Sequence, residues 1–447
     1  MLKGKGQSSS RNSIVLKNIF GSFLVKGFSI LIGLFLVPIT VKLLDQEKYG
    51  VWLTLFSVVS WFSMMDVGLG NGFRNKFTEA ISHDQKHDAK ELMQTFYSAM
   101  ALISTGIFIV YLAIHSFLNW SSILNVSPGF NENLGGIVLF TFGLFCLQLF
   151  TKNITTVLLA LHKTTYSNFL LFLGNLLALL GIFILSQLHM ISLFSIAMVF
   201  MITPNIVFIV TSILLFNGSL KEYSPLPIKL LKGRLNSLLG LGFKFFFIQI
   251  TTIIMFSSDN MIITQLFGPS AVTPYNISYR LFFSVYSCFI IVMGPFWTAF
   301  GEASAKNDKA WILKSLKKLI LFWIVFSIGI LCVLFFSNTI YNLWVGKMVI
   351  IPFNLSIQLA LYAIVLSWTA IFAYFLNGIG KIKVQLYISI FQCLCNIPLA
   401  IIFAKYLHMG TAGIILATNI NMIFAALILS YQVYKITNDT ANGIWIE

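Results

Sequence analysis

Apolar runs of about twenty residues recur along this chain from end to end, and that repetition restricts the fold more than any motif does. About 20 apolar residues are what a helix needs to cross the hydrocarbon of a bilayer. Twelve such runs are centred near residues 30, 60, 104, 146, 176, 203, 253, 286, 325, 366, 395 and 422. Only 10% of the residues are charged, against roughly a quarter in soluble domains. No stretch shows the alternation, about ten residues long, of an outer-membrane barrel strand. The expected fold is therefore an all-α polytopic membrane protein with twelve transmembrane helices. The basic start MLKGKGQSSSRNSIVLKNIF leads into an apolar run reaching Val41 with no A-x-A site, so it is expected to be a retained first span and not a signal peptide.

Loop charge gives the orientation. With the N-terminus inside, the inner segments hold twenty-one Lys and Arg, including Lys3, Lys86, Lys163, Arg234, Lys318 and Lys435, while the outer ones hold Lys42, Lys48, Lys347 and Lys405. That asymmetry puts both termini in the cytoplasm. The net charge of +15 is then topology and contact with anionic membrane lipids, not nucleic acid recognition.

The inner connection GSLKEYSPLPIKLLKGRLNS divides the chain into a six-helix bundle over 1–217, a cytoplasmic linker over 218–235 and a second six-helix bundle over 236–447. An offset of 223 residues lays FTEA, residues 77–80, on FGEA, residues 300–303, each followed by basic residues. An even number of spans per half implies a pseudo-two-fold axis along the membrane normal, the plan of transporters that place substrate between their halves. The glycines Gly68, Gly70 and Gly72 do not make a nucleotide cradle. Their spacing is G-x-G-x-G, where a dinucleotide fingerprint needs G-x-G-x-x-G, and they are expected to be surfaces for close helix packing.

Charges inside the apolar runs are the candidate site, because each is costly unless it meets a cavity or a partner. Lys26 sits midway along a stripe of Asn18, Ser22, Ser29 and Gly33, and Lys244 shares a face with Thr251 and Ser258. Arg280 has a guanidinium suited to forked phosphate contacts, and Lys152 is either a snorkelling anchor or a cavity residue. Excess positive charge predicts an anionic substrate. Asp66 and Asp259 either balance these cations or bind a coupling proton or sodium ion. Arg74, Glu79, Glu302 and Lys306, at the inner ends of the second and eighth spans, are candidates for a cytoplasmic gate, with solvated surface charge as the alternative. The five cysteines lie in apolar runs without a nearby histidine and are expected to be buried free thiols, with no metal site.

Residues 61–91, WFSMMDVGLGNGFRNKFTEAISHDQKHDAKE, and 257–282, SSDNMIITQLFGPSAVTPYNISYRLF, resemble the Wzx-type polysaccharide flippases of the multidrug/oligosaccharidyl-lipid/polysaccharide exporter superfamily. The resemblance implies movement of an undecaprenyl-diphosphate-linked oligosaccharide from the inner to the outer leaflet of a bacterial cytoplasmic membrane, for surface polysaccharide such as O-antigen, with a polysaccharide polymerase or other assembly proteins as partners. It places Lys26, Lys244 and Arg280 toward the diphosphate, with Lys152 a further candidate if it faces the cavity, and implies no cofactor and no enzyme activity. A multidrug or cation exporter and a peptidoglycan-precursor flippase share the fold. A membrane glycan polymerase or glycosyltransferase would need a long outer loop or an acid and histidine cluster. No G-x-x-x-x-G-K-[ST] motif suggests ATP drive within the chain.

Overall fold

A computed structural model describes residues 4–62, 69–161, 163–226, 229–238, 258–305 and 307–446, and among them every regular element is a helix. The first helix, α1 (Gly4–Trp61), is two spans meeting at Asp45, whose backbone (φ 67°, ψ 173°) breaks the helix. The Asp45 side chain accepts a hydrogen bond from the Lys48 backbone N–H at 2.9 Å, so this residue caps the start of the second span. The corner falls inside LLDQEKYG, the stretch that carries Lys48, one of the lysines expected on the outer side. Then follow α2 (Leu69–Ser82), α3 (Lys86–His115), α4 (Leu134–Thr151), α5 (Asn153–Ala160), α6 (Thr164–Gln187) and α7 (Leu193–Asn217). The remaining helices are α8 (Asp259–Phe267), α9 (Val272–Ala305), α10 (Lys309–Phe335), α11 (Ser337–Trp344), α12 (Phe353–Gly378), α13 (Lys383–Ile401) and α14 (Gly410–Thr437).

Ten helices among the described residues are long and apolar enough to cross a membrane. The runs near 30 and 60 share α1, and the run near 253 lies outside the described residues. The chain is thus a multi-pass membrane protein whose described residues form helices and their connections. It divides into two compact units, residues 1–48 with 55–250 and residues 49–54 with 251–447.

The core of the first unit is built on the motif FTEA. Phe77 and Phe73 are fully buried; Phe73 stacks on Phe96 at 4.3 Å and on Phe77 at 4.9 Å. Gly72 is where α2 meets backbone, because a Cβ there would stand 2.2 Å from the Leu238 carbonyl oxygen. The expected role of these glycines as packing surfaces is borne out at this position. In the second unit Phe300 is fully buried and Ala303 is buried, so FGEA has the same place in its own core.

The repeat extends to the backbone. The Gln85 N–H donates to the Ala80 carbonyl, and the Asp308 N–H to the Ala303 carbonyl, both at 2.9 Å. This six-to-one bond closes a helix through a left-handed residue; here those residues are Asp84 (φ 54°) and Asn307 (φ 56°), and 307 − 84 = 223. The corner at Asp45 has its counterpart at Gly268 (φ 82°, ψ 163°), and 268 − 45 = 223. Side chains rarely adopt that conformation. Glycine meets the need in one unit, and an aspartate with its own capping bond meets it in the other.

The mid-chain connection, expected as a cytoplasmic linker over 218–235, makes ion pairs with α3 of the first unit. Lys86 pairs with Glu222 at 3.1 Å. Arg234 pairs with Asp88 and, at 3.1 Å, with Glu91. The cysteine expectation needs correction. Cys146 is buried, but Cys288 and Cys332 are exposed and Cys393 and Cys395 are partly so. In a lipid-embedded chain an apolar run has two apolar surroundings, core and hydrocarbon, and composition does not separate them.

Candidate functional site

In the second unit, α8 and α9 form a hairpin around Gly268 and the short turn Pro269–Ala271. The fold brings a sequence-adjacent pair on one helix over a sequence-adjacent pair on the next. The Tyr275 hydroxyl donates to Asp259 Oδ2 at 2.6 Å, and Asn276 Nδ2 donates to Asn260 Oδ1 at 2.8 Å. Asp259 is 5% exposed, and its second oxygen, Oδ1, is buried without a hydrogen-bond partner. Tyrosines continue the polar surface along α9. Tyr279 stacks on Tyr275 with ring centres 6.2 Å apart, and its ring centre lies 6.3 Å from that of Tyr362 of α12. The segment 49–54 seals the turn, since Thr54 and Thr264 hydroxyls lie 2.6 Å apart.

Among the described residues Asp259 makes no ion pair; its partner is a phenol. A buried carboxylate held by one hydroxyl, with its other oxygen undonated, leaves a defined position for a proton or small cation. Arg280 is partly buried on α9.

In the first unit Lys152 is the exposed residue between α4 and α5, while its neighbours Thr151 and Asn153 are buried. Thr151 Oγ1 donates to Asn205 Oδ1 at 2.7 Å. The Asn205 amide donates in turn to the Leu144 and Met201 carbonyls, at 3.0 and 2.9 Å. The lysine thus follows a helix end, that of α4, which Thr151 and Leu144 tie to Asn205 of α7. On α2, Arg74 is exposed and Glu79 pairs with Lys76 at 2.9 Å. The hydrogen bond from Lys76 holds the Glu79 carboxyl below its usual range. Asp66, Lys244 and Lys306 lie outside the described residues, as do the side chains of Lys26 and Glu302.

The second unit also holds a buried amide cluster that is not among the residues expected from the sequence. Asn396 Oδ1 accepts from Thr418 Oγ1 at 3.2 Å and from Asn421 Nδ2 at 3.1 Å, and Gln392 Nε2 donates to the Asn421 carbonyl at 2.8 Å. Its signal was available: an amide in an apolar helix must find a partner on another helix.

The MatE family model matches residues 245–402. A protein of Yersinia pseudotuberculosis named as an O-antigen exporter is 27% identical over 400 residues, covering 84% of this chain and 85% of the relative. One of Salmonella typhi named as an O-antigen transporter is 21% identical, covering 85% of this chain and 86% of its own. Among solved structures, an inward-facing multidrug resistance MATE family transporter of the MOP superfamily superposes with a TM-score of 0.74 at 14% identity, covering 94% and 95% of the two chains. The lipid II flippase MurJ superposes at 0.69 with 17% identity, covering 92% and 87%. The chain therefore has the fold of the MOP-superfamily transporters, carries the MatE match in its second half, and is similar over most of its length to proteins named as O-antigen exporters.

Proposed function

We propose that this protein is a flippase that moves an undecaprenyl-diphosphate-linked oligosaccharide from the inner to the outer leaflet of the bacterial cytoplasmic membrane, for assembly of a surface polysaccharide. The observation that carries this reading is the similarity to O-antigen exporters, which runs through 84% of the chain and is not confined to one motif. The embedded cations fit it. Lys26, Lys244, Arg280 and Lys152 are assigned to the diphosphate, whose charge needs donors in a wet chamber while the polyprenyl tail stays in lipid. Arg74, Glu79, Glu302 and Lys306 are assigned to the inner gate, a polysaccharide polymerase is the assembly partner, and both termini are cytoplasmic.

Asp259 supports an ion-coupled reading, because its undonated oxygen gives a proton or sodium ion a place to bind; Asp66 is assigned to the same task. Deleting the gene is expected to abolish the surface glycan and to leave its lipid-linked precursor on the cytoplasmic side. A deletion strain with normal glycan and no trapped precursor overturns the proposal. In that strain Asp259→Asn is expected to restore only a small fraction of surface glycan and to remove the response to an imposed proton or sodium gradient. An unchanged gradient response would rule out coupling at this residue.

A further inference from the structure

Helices α6 and α7 approach each other closely at two points. A Cβ on Gly174 would stand 3.2 Å from Pro204 Cα, and one on Gly181 would stand 2.8 Å from Val199 Cγ1. Thr203 Oγ1 ties the first crossing by donating to the Gly174 carbonyl at 3.2 Å. Beyond Gly174, toward the start of α6 and the end of α7, the facing residues are large, and a groove of about 540 Å³ opens between the helices. Leu170, Leu173, Val210 and Leu214 are among its walls, and Lys163 and Tyr166 lie at the α6 start. Lys163 is exposed and has no acidic partner among the described residues; Tyr166 is 65% exposed.

A slot that is apolar along its length, with one unpaired cation where its first helix begins, has the chemistry of a single amphiphile: one anionic head and a hydrocarbon tail. Hydrocarbon fills any furrow on a membrane protein, so the lysine is what makes the site selective. We propose that this groove binds one anionic phospholipid, with an acyl chain along Leu170, Leu173, Val210 and Leu214 and the phosphate at Lys163. A lysine there reaches the headgroup level by extending its stem along the apolar wall. The lining favours a phospholipid over a glycan-bearing lipid, since beyond Lys163 and Tyr166 it offers a sugar only the Thr211 hydroxyl. The site is independent of the transport reading.

Native mass spectrometry of the purified full-length protein, titrated with phosphatidylglycerol or phosphatidylcholine, tests it. Phosphatidylglycerol is expected to be retained about fivefold more tightly, the preference one lysine confers near an anionic headgroup. Lys163→Gln, a change at an exposed position, should bring the two lipids to parity. Val210→Trp, which fills the groove, should remove the bound copy, whereas Leu321→Trp on the exposed side of α10 should leave it. Equal retention of both lipids by the unaltered protein overturns the proposal, as does retention unaffected by Val210→Trp in a variant that keeps its thermal transition. Displacement of phosphatidylglycerol by an equal concentration of a polyprenyl phosphate assigns the groove to a different lipid and also overturns it.

Discussion

Replacing Gly50 by alanine is expected to destabilise the second unit by about 3 kcal/mol or more, the upper range for forcing atoms into a packed interior. A Cβ at this position would stand 1.8 Å from the Pro269 carbonyl oxygen and 2.6 Å from its carbon. Both are backbone atoms, in the turn that presents Asp259 to Tyr275, so no side-chain rotation relieves the clash. The matched control is Gly329→Ala in the same unit, where the added carbon meets nothing within 4 Å outside its own stretch of helix. A glycine in a helix costs roughly 0.5 to 1 kcal/mol relative to alanine, so the control should be neutral or slightly stabilising. Thermal unfolding of the detergent-purified variants measures both. A Gly50→Ala protein as stable as the control would mean that the segment 49–54 does not pack on this turn.

The second large effect is expected at Asn205. It is 3% exposed and joins Thr151, Leu144 and Met201 through three hydrogen bonds. Hydrogen bonds in membrane proteins average about 0.6 kcal/mol in double-mutant cycles, so Asn205→Leu should cost about 2 kcal/mol. Thr151→Val, which removes one bond, should cost about a third of that. The double variant should cost little more than Asn205→Leu alone, because the Thr151 bond is already absent. Additive losses would show that the two residues act separately. The consequence for transport is specific, since this network ties down the helix end that precedes Lys152: Asn205→Leu should lower transport even in protein that remains folded.

The sequence was most informative where charge and helix ends follow simple rules. The internal FTEA and FGEA pair was legible because a single offset lays one on the other and basic residues follow both. What was not legible is the backbone agreement beneath them. Asp84 and Asn307 share a conformation without sharing a residue type, as do Asp45 and Gly268, so identity counting undervalues the repeat. The five cysteines failed differently. Hydropathy measures whether a residue avoids water, and lipid and core satisfy it equally. At the candidate site, the acid Asp259 was visible as an unusual residue, but its hydrogen bond to Tyr275 was not. It depends on a corner that folds residue 259 back against residue 275.

The docking of the mid-chain connection on α3 bears on how conformational change in this protein is to be followed. Glu222 and Arg234 look like natural attachment points for a spectroscopic label, because they belong to the stretch joining the two halves of the sequence. Their partners Lys86, Asp88 and Glu91 make them part of the first unit instead. A label pair at 90 and 230 would return one fixed separation through the whole cycle, which makes it an internal ruler for that unit, and a pair meant to report motion needs its second label beyond residue 258.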